Sequence, residues 1–335
     1  MKDIAEMAHT SINTVSKALR NHPQISSEKR DEILSLANEM GYIPNSAART
    51  LRQRKSRLIG IIVGDNANPY FATMIKTAQQ MLKKYNYLLI TFNNYENVED
   101  EMRFMAEMCG LNVAGVLISP AMGNGKSTDL LRRHNIPFVY LNRTPENTTD
   151  SYVVANDEYA AYLATSHLIS RKHERVFYIN YFKNFVTARY RFNGYKRALL
   201  ENGMDVNMNC VIDDCTNRTD GYNAMQSLLK KYEPPFSVLC YSDYIATGVL
   251  SAIWDAGYRV PEDCAVIGID DSDNLLNNAY GLSSVRIPVR DIVENAVMIL
   301  LNKIQNSDNA VDGRNGVNIP DRLMLEPQLH IRQST

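Results

Sequence analysis

The chain lacks most of what would tie its 335 residues to catalysis, metal binding or export. Its five cysteines, Cys109, Cys210, Cys215, Cys240 and Cys264, show no CxxC spacing and are odd in number, which excludes a zinc ribbon and a complete disulfide framework. The six histidines form no HExxH or HxxxH pair. Neither GxSxG nor GxGxxG occurs. Gly125-Lys126-Ser127 resembles the end of a phosphate-binding loop, but Pro120 stands where that pattern needs its first glycine, so no backbone nest can form to cradle phosphate. Carboxylates are plentiful, yet none fall into a pair with an obvious acid/base role. The chain reads as no enzyme, with no cofactor and no metal. No apolar run is long enough to cross a bilayer, and Met1-Lys2-Asp3-Ile4 opens without a signal-peptide core. A reducing cytoplasm and no membrane partner are expected.

Charge of one sign is lacking overall, since the formal net charge is −1. Its distribution is informative. Between Tyr42 and Arg57 lie Arg49, Arg52, Arg54, Lys55 and Arg57, with no acid among them. A local basic stretch on a near-neutral chain points to a polyanion partner at one end. Just before it, Ser11-Ile-Asn-Thr-Val-Ser-Lys-Ala-Leu19 reads as a short helix of two faces. Val15, Ala18 and Leu19 share a face fit for burial, Ile12, Asn13, Ser16 and Lys17 share the exposed one, and Ser11 is placed to cap the first turn. A second short helix, residues 4–8, precedes it across the link His9-Thr10. Two short helices joined by a tight turn form a helix-turn-helix, whose second helix enters the DNA major groove. A third helix follows Ser26 and ends at Gly41. Residues 45–54 are helix-compatible but too short to hold a helix alone in water, and they carry one large apolar side chain, Leu51.

From Leu58 the pattern alternates between apolar strand and helix: strands at 58–63, 87–92, 115–119 and 138–141, with helices between them. It restarts after helix 157–170, with strands at 175–179, 210–212, 237–241 and 265–269. Such alternation makes a parallel, doubly wound α/β sheet, here in two similar halves. A ligand is expected in the cleft outside the carboxyl ends of their strands.

The motifs "KDIAEMA", "NTVSKAL", "GYIPNSAARTLR", "IGIIVGDNANPYF", "RVPEDCAVIGIDD" and "LSSVRIPVRDI", in this order, resemble the LacI-type family of bacterial transcription regulators (lactose-repressor and purine-repressor type) over essentially the whole chain. The resemblance implies an all-α helix-turn-helix headpiece at 1–44 and a hinge helix or linker at 45–57. It implies an α/β core of two subdomains like type I periplasmic binding proteins. The first would comprise 58–156 and 285–318, the second 157–284 and 319–335, with crossings near 155–158, 284–288 and 318–320. It also implies a homodimer on a near-palindromic operator. Ile12, Asn13 and Lys17 fall on base-reading positions. Thr14, Ser16, Ser26, Tyr42 and Asn45 fall on phosphate positions, which set register rather than sequence preference. Leu51 matches a minor-groove wedge, with Ala48 one turn before it. In the cleft the effector positions are Tyr70 and Phe71, then Asn142 and Arg143. Arg191, Ser242, Asp243 and Asp270 complete them. This chemistry suits a polyhydroxy ligand, so a sugar or sugar phosphate is the first expectation and a purine or nucleoside the second. A solute-binding protein shares such a core but would have no use for residues 1–57. Three residues depart from the family pattern: His9 stands where glycine is usual, Lys17 replaces arginine, and Asn142 replaces aspartate.

Overall fold

The computed structural model describes residues 1–42, 56–121, 125–173, 175–271, 279–311 and 321–335, with side chains described only to residue 307 in the helix that ends at 311. The expectations for Asn45, Ala48 and Leu51 therefore lie outside the described residues. The chain divides into two compact units, Met1–Lys55 and Ser56–Thr335.

In the first unit, helices α1 (Lys2–Met7), α2 (Ile12–Ala18) and α3 (Ser27–Glu39) close over Ile4, Ala8, Val15, Ala18 and Ile33, all nearly inaccessible to solvent. The Ser11 hydroxyl accepts from the Thr14 amide and the Ser26 hydroxyl from the Lys29 amide, so both helices start on side-chain caps. His9 has φ of 45° and Gly41 φ of 60°. The His9 turn thus uses the left-handed region that glycine would occupy without strain, and histidine adopts it at a cost in backbone energy.

In the second unit, the first sheet contains β1 (Leu58–Val63), β2 (Leu88–Asn93), β3 (Gly115–Ile118), β4 (Phe138–Asn142), β5 (Tyr152–Ala155) and β11 (Arg322–Leu325), in the order β11-β5-β4-β3-β1-β2. The second contains β6 (Val176–Ile179), β7 (Val211–Ile212), β8 (Phe236–Cys240), β9 (Cys264–Asp270), β10 (Ser283–Arg286) and β12 (Gln328–His330), in the order β12-β10-β9-β8-β6-β7. Setting the edge strands β11 and β12 aside, the two orders are equivalent, and every pair is parallel except β10 with β12. Both faces of parallel strands are covered by helices, so β1, β3, β8 and β9 are buried over most of their lengths. The helices are α4 (Pro69–Lys84), α5 (Val98–Gly110), α6 (Asp129–Arg133), α7 (Asp157–Ser170), α8 (Val186–Glu201), α9 (Arg218–Lys231), α10 (Asp243–Asp255) and α11 (Val289–Val311). No described helix is long and apolar enough to cross a membrane.

Two boundaries differ from the sequence expectation. Residues 322–325 pair in parallel with Tyr152–Ala155 in the first sheet, so the chain crosses back at Glu326–Pro327 rather than near 318–320. Residues 285 and 286, expected in the first subdomain, pair with Ile269 and Asp270 in the second. Both short segments carry few of the continuous apolar residues that mark the interior strands. The Gly125-Lys126-Ser127 look-alike forms a single 3₁₀ turn, and buried Ser127 donates a hydrogen bond to the Glu101 carboxylate. That carboxylate also accepts from the Ala121 amide and the Asn94 side chain, tying Ala121 and Ser127 to α5.

Candidate functional site

In the first unit, α2 presents Ile12, 48% exposed, and exposed Asn13 to solvent. Ser16 and Lys17 are half-buried rather than fully exposed as expected, and the Lys17 ammonium donates to Gln24 Oε1 at 2.8 Å across the loop after α2. Thr14 Oγ1 lies 2.9 Å from the capping Ser11 hydroxyl. The Ser26 oxygen caps α3, so only its proton is left to meet a phosphate. Tyr42 is half-buried against the three-helix core.

In the second unit, a cavity of about 320 Å³ opens where strand ends of both sheets face each other. Gly64 and Asp65 follow β1, Tyr95 and Glu96 follow β2, Asn142 and Arg143 end β4, and Asp270 ends β9. The position is the one that doubly wound sheets reserve for ligands. The structure brings together there Tyr70, Phe71, Asn142, Arg143, Arg191, Ser242 and Asp270. Asp243 does not line the cavity. It points into the lobe, where its Oδ1 accepts from Ser284 Oγ at 2.6 Å, beside Gly268. The expectation that Asp243 binds effector is corrected accordingly: next to the N-cap Ser242, it is turned inward by α10.

Two buried guanidinium groups organise the site. Arg191 Nε donates to Asp157 Oδ1 at 2.7 Å, Nη1 to the Tyr241 carbonyl, and Nη2 stands 3.7 Å from Asp270 Oδ1. Its plane covers the Tyr241 ring at 4.3 Å. Burial works against the Arg191 charge, but the carboxylates of Asp157 and Asp270 overcome it and hold the group firmly protonated. Burial pushes the Asp157 carboxyl up, and it pushes the Asp270 carboxyl up further with help from Asp243 and Asp157, against the pull of Arg191. Arg143 reaches Glu96 at 2.5 Å and the Pro120 carbonyl at 2.6 Å, and lies 4.7 Å from the centre of the Phe185 ring. Asn142 accepts from the Tyr70 hydroxyl at 2.9 Å and donates to Ser119 at 3.1 Å.

Backbone strain gathers around the same cavity. Tyr95, Glu96, Asn142 and Asp270 have φ of 45°, 61°, 70° and 127°, conformations that a surrounding structure must enforce and that cluster at ligand sites. Sequence reasoning missed Tyr95 and Glu96, and also the aromatic wall of Tyr181, Phe182, Tyr241 and Tyr244. The readable signal was position: Tyr95, Glu96, Tyr181, Phe182 and Tyr241 lie just past strand ends, and Tyr244 in the first turn of α10. The rings of Tyr181 and Tyr241 stack at 5.0 Å with 19° between planes.

Comparison with known proteins agrees with both halves of this picture. A family model described as bacterial regulatory proteins, lacI family, matches residues 1–45. One described as periplasmic binding proteins and sugar binding domain of LacI family matches residues 56–291. The HTH-type transcriptional repressor PurR of Haemophilus influenzae strain PittEE is 31% identical over 100% of this chain and 98% of its own length. That of Mannheimia succiniciproducens is 29% identical over the same shares. The solved lac repressor dimer bound to operator and the anti-inducer ONPF superposes with a TM-score of 0.84 at 20% identity, covering 99% of this chain and 97% of that one. The transcriptional regulator CelR in complex with cellobiose gives 0.73 at 24% identity, with 99% and 98% covered. The chain therefore belongs to the LacI family of bacterial regulatory proteins, which are ligand-responsive, DNA-binding transcription repressors and not enzymes.

Proposed function

We propose that the chain represses transcription in the cytoplasm as a homodimer on a pseudo-palindromic operator, and that its effector is a neutral sugar held in the interlobe cleft. The observation that carries the choice of effector is the state of the two cleft arginines. Arg191 is committed to Asp157 and Asp270, and Arg143 to Glu96. Among the described residues that line the cleft, no cation is left over for a phosphate, which disfavours the sugar-phosphate half of the expectation. Asp65 and Asn68 each use one oxygen on a local backbone amide and offer their other group to ring hydroxyls, and the tyrosines offer ring faces. A purine is the second reading. The flat Tyr181–Tyr241 stack favours it, as does the likeness to relatives named PurR. A thermal-shift panel of neutral sugars, sugar phosphates and nucleobases separates them. A rise with neutral sugars alone is the expected result, and a rise with hypoxanthine or guanine alone replaces this reading by the second.

The homodimer is supported by apolar surface away from the cleft. Trp254, 42% exposed, packs its ring against Tyr280 at 5.3 Å. Sedimentation of the full chain is expected to give twice the monomer mass, with Trp254→Glu shifting it toward monomer.

On DNA, Ile12, Asn13 and Lys17 are proposed to read bases, and Thr14, Ser16, Ser26, Tyr42 and Asn45 to hold phosphates, with Ala48 and Leu51 at the minor groove; Asn45, Ala48 and Leu51 rest on the family resemblance alone. Lys17→Ala is expected to lower the preference for operator over random duplex by about 1–3 kcal/mol, as removal of one good base-edge hydrogen bond would. General affinity and its salt slope should change little, since each phosphate left without its cation would flatten that slope by about 0.9. Titrations at several salt concentrations decide it. Equal weakening on operator and random DNA would place Lys17 on a phosphate.

A further inference from the structure

Asn142 and Arg143 line a second cavity as well, of about 330 Å³. Two hydrogen-bonded pairs tie its wall to that of the effector cleft. Asp157 of the second cavity holds Arg191 of the first at 2.7 Å, and Thr187 of the second meets the Tyr241 hydroxyl of the first at 2.8 Å. The second chamber is walled from the first lobe by Tyr152, Val154 and Met324 and from the second by Val186 and Tyr190. It is therefore a chamber to which both lobes contribute.

Its chemistry is specific. Every charge on its wall has an opposite partner: Glu146 with Arg189, Asp157 with Arg191, Glu158 with Arg197, and Arg143 with Glu96. An ionic ligand would have to break one of these pairs. In contrast, the hydroxyls of Thr144, Tyr152 and Tyr190 and the side-chain amide of Asn147 find no hydrogen-bond partner among the described residues. Tyr190 stands 46% exposed with no ring contact to another aromatic side chain among them, and Met324 is 57% exposed. Aromatic faces beside unused neutral donors and acceptors match a ring that is apolar on its faces and hydroxylated on its rim.

We propose that this second chamber binds a neutral hydroxylated ring, supplied either by the second ring of an elongated saccharide effector or by a separate saccharide molecule. The proposal rests on the neutral-sugar reading of the effector cleft. Because the Arg191–Asp157 pair joins the two walls and Asn142 and Arg143 line both, the two chambers share groups, and what one ligand does to the affinity of the other must be returned in equal measure.

The test is calorimetry on the full chain with a panel of ribose, glucose, galactose, maltose, cellobiose and sucrose. It is repeated on Tyr190→Ala and Met324→Ala, both exposed enough to fold normally, and on Asp270→Asn as the control for the cleft. One supporting outcome is a disaccharide bound one per chain that Tyr190→Ala weakens by about tenfold, the worth of one aromatic ring stacked on the ligand, while monosaccharides are unaffected. That outcome identifies an elongated effector. The other is a monosaccharide bound two per chain, reduced to one by Tyr190→Ala, which identifies a separate molecule. If a saccharide binds and Asp270→Asn removes it, while Tyr190→Ala and Met324→Ala change neither affinity nor stoichiometry, the second chamber is not a site and the effector reading stands. If no saccharide of the panel binds at all, the effector reading fails and the second chamber fails with it.

Discussion

Arg191→Ala is expected to remove the response to effector and to lower the thermal stability of the core by on the order of 10 °C. The guanidinium is 5% exposed in its side chain and serves Asp157, Asp270 and the Tyr241 carbonyl at once. Deleting it leaves two carboxylates in a buried cavity with nothing to balance them, a loss of roughly 3–5 kcal/mol when one partner of a buried pair is removed. At about 2–4 °C per kcal/mol for a domain of this size, the shift should be obvious in a melting curve. The pH dependence gives the result its signature. Burial already raises both carboxyls, and Arg191 is the main force opposing it. Without Arg191 they rise further, so the folded variant holds protons that its unfolded chain releases. A raised folded pKa contributes stability that is complete below the unfolded value and is lost as pH climbs through the folded one. The gap between variant and parent should therefore narrow from pH 7 toward pH 4. A gap that widens on acidification would show that the carboxylates are not what Arg191 holds in place. Operator binding without effector should persist, because the headpiece is a separate compact unit.

Arg191 was legible from sequence and its partner Asp157 was not, for a physical reason. Arg191, in the stretch Ala188–Tyr195, was assigned to the cleft by the family resemblance that other motifs carry. Asp157 looked like an ordinary first-turn acid of a helix, and in α7 it also has that role. Its second role arises only when α8 folds across α7 and brings Arg191 to it, a pairing separated by 34 residues in sequence. The interior strands were readable because a parallel strand covered on both faces must be continuously apolar. The edge strands β11 and β12 were not, since half their surroundings are solvent, and "RLML" and "QLH" carry too little pattern to state which sheet they join. For Asp243 the resemblance misled: it fixed the position along the chain but not the direction of the side chain, which Ser284 and the glycine at 268 determine. The aromatic wall escaped notice because its residues stand after strand ends or at the start of α10, where no periodicity marks them and position is the single cue.

The helix crossing that builds the Arg191 site also predicts a substitution with a large effect on packing. Gly194 lies three residues after Arg191 on α8, so the two share a face. That face lies on α7, and a Cβ at position 194 would stand 2.0 Å from the Glu158 carbonyl oxygen and 2.8 Å from the Tyr162 amide nitrogen. Both are backbone atoms of a regular helix and cannot rotate away, as the end of a side chain would. Gly194→Ala can be accommodated only if α8 moves off α7 by about the depth of a methyl group, which opens the packing around buried Ala188, Tyr195 and Ala198 on the same helix. Overpacking a tight core typically costs about 1–3 kcal/mol, and a clash with backbone belongs at the upper end of that range. The gain in helix propensity from glycine to alanine, about 1 kcal/mol, offsets part of it. The decisive readout is functional. Moving α8 carries Arg191 away from Asp157, which begins α7, so effector affinity should fall by more than the loss of stability alone explains. Gly203, at φ of 70° after the end of α8, where an added Cβ would meet nothing within 4 Å, is the control: Gly203→Ala is strained locally but leaves the helix crossing alone. Calorimetry and melting on the two variants separate the effects. Gly194→Ala should lose both stability and effector binding, and Gly203→Ala stability alone. Equal effector affinity in the two variants would mean that the α7–α8 crossing does not set the position of Arg191.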